Sequence, residues 1–106
     1  MRVEKSWGYE EIIHNGDYCC KKLVYEIPIA SSLHYHQHKH ETFFVHSGKF
    51  KIEIDGGEPQ DLAIGQAVIL PPGTRHRIRC IEPGMILEAS TFDNPFDCVR
   101  LIPSEV

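Results

Sequence analysis

Residues 49–55 constrain this chain more than any other stretch. Apolar and charged residues alternate there without a break, with Phe50, Ile52 and Ile54 on one parity and Lys49, Lys51, Glu53 and Asp55 on the other. Successive side chains of a strand point to opposite faces. The segment therefore predicts a half-buried antiparallel strand with one wet face. Asp55-Gly56-Gly57 predicts the turn that ends it, because glycine tolerates the positive φ of a tight reversal. Further strands are expected over 10–14, 18–27, 41–46, 66–70, 75–81, 85–90 and 98–102. Asn15-Gly16-Asp17, Ser47-Gly48, Pro71-Pro72-Gly73 and Glu82-Pro83-Gly84 are expected as the turns between them. Helical periodicity is poor throughout. Many short strands with regular Gly/Pro punctuation predict an all-β sandwich or barrel. Both termini are expected to be loose, since residues 103–106 offer little to bury.

A length of 106 residues suits one domain, 1–106, with a barrel core over about 18–102. Eleven basic against 15 acidic residues give a formal charge of −4, which argues against nucleic acid as a partner. No apolar run approaches the ~20 residues of a membrane helix, so no membrane role is expected. Residues 1–9 are polar and charged, so no secretory signal is expected and the cytoplasm is the expected compartment. Cys19, Cys20, Cys80 and Cys98 form no CxxC pair, and in a reducing compartment they read as free thiols filling space. Cys80 shares strand parity with His76 and is expected to point inward, close to it.

Histidine is the departure from ordinary composition. Of seven, five (His34, His36, His38, His40 and His46) fall within 13 residues. On an extended chain His34 and His36 point the same way, ~7 Å apart, and can converge on one cation. Glu41 follows and can add a carboxylate. A fourth candidate, His76, stands just beyond the Pro71-Pro72-Gly73 turn, on one strand face with Ile78 and Cys80. Imidazoles with a carboxylate suit Zn, Mn, Fe, Ni or Cu, and spacing does not choose among them. His46 has the parity of Phe44, opposite to Glu41, so both are expected outside the barrel. A large aromatic there suggests a dimer contact. Arg75, Arg77, Arg79, Lys39 and Lys49 are candidates for binding phosphate, although the arginines alternate away from His76.

The spacing His34-x-His36-x4-Glu41-x6-Gly48, followed by Gly65-x5-Pro71-x-Gly73-x2-His76, resembles the two motifs of the cupin superfamily. The first motif's opening glycine is absent, and Cys80 stands where the second motif ends in Asn. The resemblance implies a jelly-roll β-barrel, or double-stranded β-helix. A divalent transition metal (Zn, Mn, Fe or Ni) would be held inside by His34, His36, Glu41 and His76. A narrower likeness runs from Lys5 to Leu101. Lys5-Ser6-Trp7-Gly8-Tyr9-Glu10, Ser32-Leu33-His34, His76-Arg77 and Asp97-Cys98-Val99-Arg100 are similar to the C-terminal domain of type II phosphomannose isomerases and mannose-1-phosphate guanylyltransferases, with His34 in a Gln position.

This likeness implies a metal-dependent isomerase or epimerase of a sugar or sugar phosphate, with a small-molecule substrate; the outward Phe44 adds the expectation of a homodimer. The metal would polarise the substrate carbonyl. Glu88 or His38 would move the proton, Glu88 only if its strand turns it inward. Three imidazoles and one carboxylate also occur in dioxygenase-type, storage and sensor cupins. An iron-dependent oxygenase or a non-catalytic small-molecule binder is therefore the alternative.

Overall fold

Every regular element is a strand in the computed structural model, which describes residues 1–106. The strands are β1 (Arg2–Lys5), β2 (Gly8–Asn15), β3 (Cys19–Tyr25), β4 (Leu33–His36), β5 (Glu41–Ile54), β6 (Gln60–Leu62), β7 (Ala67–Leu70), β8 (His76–Ser90) and β9 (Cys98–Ile102). The all-β expectation holds. The short strands β1, β4 and β6 add to those expected, being too brief for an alternation to show. No helix is long and apolar enough to cross a membrane.

The two longest strands organise the rest. β5 and β8 run antiparallel from Glu41 opposite Ser90 to Ile54 opposite His76. A straight ladder over that stretch would span roughly 43 Å at about 3.3 Å per residue. The longest extent of the molecule is 32 Å, so the ladder folds over on itself. It does so where the register slips, between Val45 and Phe50. Gly48 has φ 85° there. A Cβ on Gly84 would lie 2.2 Å from the Ser47 carbonyl oxygen, and one on Gly48 would lie 2.7 Å from Gly84 Cα. Only glycine lets the backbones come this close.

This corrects one expectation. Ser47-Gly48 and Glu82-Pro83-Gly84 are not chain reversals but facing bulges in two continuous strands, so the strands expected over 41–46 and 49–55 are one, as are 75–81 and 85–90. Turn residues and bulge residues share the same φ chemistry, and local sequence does not separate them.

Folding the ladder makes two facing layers. β1, β2 and β3 continue one layer from the C-terminal half of β8, and β7 pairs with the first half of β5. In the other layer, β4 and β9 join the first half of β8, and β6 pairs with the last part of β5. Inward side chains change character along each long strand. β3 reads Cys19, Lys21, Leu23, Tyr25; β5 begins Glu41, Phe43, Val45; β8 ends Ile86, Glu88. The barrel interior thus has an apolar end and a charged end. At the apolar end Trp7 stacks on Tyr25 with centroids 4.1 Å apart, and Tyr25 meets the edge of Phe50 at 5.2 Å. Such pairs add about 0.5–1.5 kcal/mol each beyond their burial.

Cys80 lies in this apolar cluster, opposite Phe50, rather than close to His76 as expected. Inward parity is right, but four residues along a strand move it ~13 Å away. All four cysteines are free.

The termini are not loose. β1 pairs with β2. The Glu105 carboxylate accepts from the Ala30 N–H at 2.9 Å and from Nη1 and Nη2 of Arg79 at 3.1 and 2.8 Å, while Ser6 Oγ donates to the Glu105 carbonyl. Arg77 Nε donates to the Ser31 carbonyl and its Nη2 to that of Pro103. Arg77 and Arg79, read as phosphate candidates, therefore hold the C-terminal segment against the barrel.

Candidate metal centre

The charged end holds one compact group. One donor atom from each of His34, His36, Glu41 and His76 lies within 4.8 Å of the others. The two layers supply them separately: β4 and the start of β8 carry the histidines, and the start of β5 carries Glu41. His34 pairs directly with His76 across β4 and β8, which brings their rings to 4.5 Å. Glu41 arrives from the opposite end of the β5–β8 ladder, yet its Oε2 is 3.3 Å from His76 Nε2 and 3.5 Å from His36 Nε2.

The hydrogen bonds fix which nitrogens face inward. His76 Nδ1 lies 3.0 Å from the Thr74 carbonyl, and His34 Nδ1 lies 3.2 Å from the Ser32 carbonyl. A carbonyl only accepts, so His76 Nδ1 carries the proton and its Nε2 presents a lone pair; His34 Nδ1 also lies 2.9 Å from Ser32 Oγ, a hydroxyl that can donate or accept. The same carbonyl anchoring orients imidazoles in metal sites. Burial lowers all three histidines. His34 falls to about 3, with His76 and His36 adding repulsion, and His36 to about 4, with Lys39 adding to it. They are neutral at pH 7. Glu41 is raised by burial, against the pull of Lys39.

His76 Nε2 and Glu41 Oε2 are both buried and both without a hydrogen-bond partner. A lone pair thus faces a carboxylate oxygen at 3.3 Å, an arrangement that costs free energy until a cation or proton stands between them. The donor set meets that need: three nitrogens and one oxygen can hold a transition-metal ion. The residues fit a metal.

A buried network surrounds Glu41. Lys39 Nζ lies 3.2 Å from Glu41 Oε1, 3.0 Å from Glu88 Oε2 and 3.1 Å from Asp93 Oδ1. Lys21 Nζ lies 2.6 Å from Asp93 Oδ2 and 3.1 Å from Glu10 Oε1. Burial works to lower both lysines, but their carboxylate partners outweigh it and raise them. Lys39 and Lys21, with Lys5 at 3.9 Å from Glu10, face four carboxylates, which outnumber them beside the cluster. Lys39 is fully engaged here, so it is not a phosphate contact. Asp97 shapes the loop that carries it, accepting the backbone N–H groups of His38 and Lys39.

Glu88 is inward and 4 % exposed. Its Oε2 accepts from Lys39 Nζ and Ser90 Oγ. His38 is exposed and stands apart from the four clustered residues, as do His40 and His46. Phe44 is on the outer sheet face, 41 % exposed.

Lys21 and Asp93 are absent from the sequence expectations, and Lys39 enters them only as a phosphate candidate. Lys21 carried a signal: it has the same parity as Leu23 and Tyr25, and a charge on the buried parity of a strand marks a polar interior. Lys39 and Asp93 sit in loops, where parity says nothing.

Comparison with known proteins agrees with this architecture. A cupin domain (Cupin_2) matches residues 24–89. Protein SchB of Streptomyces halstedii is 38 % identical over 48 residues, 45 % of this chain; the aligned part is 34 % of SchB, so the match spans about a third of that relative. Among solved structures, an RmlC-like cupin from Shewanella frigidimarina NCIMB 400 superposes with a TM-score of 0.78 at 17 % identity, covering 91 % of this chain and 86 % of that one. A protein with a double-stranded β-helix domain from Klebsiella pneumoniae gives 0.79 at 19 % identity, covering 93 % and 88 %. At such identities the structural likenesses speak for the fold alone, the cupin jelly roll. The chain belongs to the cupin family.

Proposed function

We propose that this cupin is a metal-dependent enzyme acting on a sugar or sugar phosphate, of isomerase or epimerase type. The observation that carries the metal is the unpartnered pair His76 Nε2 and Glu41 Oε2, buried and facing each other. His34, His36, Glu41 and His76 would hold the ion. When bound, the ion supplies Lewis acidity toward a carbonyl and charge stabilisation for an enediolate.

The chain's own residues do the rest. The carbonyls of Ser32 and Thr74 keep two imidazoles oriented. Glu88 is the proton-moving group preferred over exposed His38, because it is inside the barrel. Lys39 and Ser90 hold one of its oxygens, leaving Oε1 to take or give the proton. The sugar setting rests on the likeness to the phosphomannose isomerase group, carried by Trp7-Gly8, His76-Arg77 and Asp97-Cys98-Val99-Arg100. Trp7 and Asp97 have structural work in this fold, in the core and on the 37–40 loop, so the likeness supports the reading through architecture more than through substrate contacts.

The test has two stages. Titration of the metal-free chain with Zn, Mn, Fe and Ni should show one ion per chain, lost in His76→Ala. The loaded chain, with aldoses and ketoses, free and phosphorylated, should then move deuterium from D2O to the carbon beside the carbonyl. Metal binding without exchange on any of them would sink the isomerase reading. Oxygen uptake by the iron form would replace it with the oxygenase alternative.

A further inference from the structure

From the geometry around Glu41 we infer that Lys39 is a positioning residue that restricts Glu41 to donating one oxygen, reserving a position on the ion for substrate. The inference rests on the metal reading above. Glu41 has two oxygens in different circumstances. Oε1 lies 3.2 Å from the Lys39 ammonium, and Oε2 is bare and points at His36 and His76. A carboxylate free on both sides can chelate an ion through both oxygens. Here one of them is taken.

The ammonium is itself immobile. Glu88 and Asp93 hold it from other directions at 3.0 and 3.1 Å, and Asp97 pins its backbone N–H at 2.9 Å. Lys39 is 4 % exposed, so water does not compete for it. Its charge also opposes the approach of a cation to Oε1.

On an ion that takes six ligands, such as Mn(II), three imidazoles and one oxygen would fill four positions and leave two for adjacent substrate oxygens. A two-oxygen Glu41 would consume one of them. Lys39 therefore links the surrounding charge network to the number of open positions, without touching the ion.

Water-proton relaxation of the Mn(II)-loaded chain tests this, because it counts water on the ion. In Lys39→Met, Oε1 is released and the opposing charge is gone. Inner-sphere relaxivity should fall to about half as two waters become one, and Mn(II) should bind about tenfold more tightly. A residue that merely supported the fold would give weaker binding on mutation, not tighter binding with less water. Lys39→Met leaves Glu88 and Asp93 short of a cation, so the double variant Lys39→Met/Glu88→Gln, with one buried charge fewer, is measured beside it. Wild-type relaxivity and affinity in whichever variant folds would overturn the inference while leaving the metal reading intact. Failure of the wild-type chain to hold any of the four metals would instead sink that reading.

Discussion

The two ends of this barrel interior are built from the same strands and stabilised by opposite means. At one end Leu23, Tyr25, Phe50, Ile78 and Ile86 exclude water and need no partner in particular. At the other, Lys21, Lys39, Glu41, Glu88, His36 and His76 are as deeply buried, but each polar atom requires a specific partner. Apolar contact is non-directional and tolerates small errors. Buried charge does not, and where a partner is missing the structure points to what belongs there. The polar end leaves His76 Nε2, Glu41 Oε2 and His36 Nδ1 unpaired, and the first two face each other. That contrast locates the site.

Substitutions at the two ends should separate these modes. Phe50→Ala removes a fully buried ring from the apolar end and should cost roughly 3–5 kcal/mol in urea denaturation, with the metal affinity of the folded fraction unchanged. Lys21→Met should cost about 3 kcal/mol for a different reason, since Asp93 and Glu10 each lose their shorter ammonium contact, leaving only Lys39 beside Asp93 and Lys5 at 3.9 Å from Glu10. The double variant Lys21→Met/Asp93→Asn should recover part of that loss, whereas no polar change should rescue Phe50→Ala. If Lys21→Met is as stable as the wild type, the charged end is not held by pairing.

Glu41→Gln sharpens the comparison further. Its amide can donate where two acceptors now face each other, so the metal-free chain should melt at the same temperature or higher. Metal affinity should fall more than about 100-fold.

Acid should act first on the charged end. The three histidines are lowered in the folded chain, so between their unfolded value near 6.5 and about 4 the unfolded chain binds more protons. Stability of the metal-free protein should therefore drop as pH falls from 7 toward 4. Glu41, raised on folding, works the other way, since its contribution is lost as pH rises; one carboxyl against three imidazoles leaves the acid loss dominant. A melting temperature flat across this window would contradict the burial assigned to the histidines. The smallest effect is expected from Glu105→Gln outside the barrel, where a slight fall in melting temperature with more proteolysis at the C-terminus would show that the Arg79 contact holds the segment.

Much of this was legible along the chain. Phe50 and Ile52 are inward as their alternation predicts, and His76, Ile78 and Cys80 do share a buried face. The four clustered donors are those that spacing and family likeness singled out. Strand continuity was not legible, because Gly48 and Gly84 serve a bulge with the same backbone chemistry as a turn. The position of Cys80 was not legible either, since parity gives direction but not depth. Lys39, in a loop crowded with histidines, reads along the chain as a phosphate candidate, and only the arrival of Glu88 and Asp93 makes it an interior group.

Sequence by itself determined the alternation that commits the chain to strands, the parity that turns His34, His36 and His76 inward, and the donor types suited to a transition metal. These are local properties, set by the two-residue repeat and by side-chain chemistry. Tertiary structure decided the meeting. Glu41 and His76 stand at opposite ends of one β5–β8 ladder, and in a straight sheet they would be the most distant pair on it. They touch because two glycine-bearing bulges let the ladder fold, and the closed barrel then removes the water that would otherwise satisfy both.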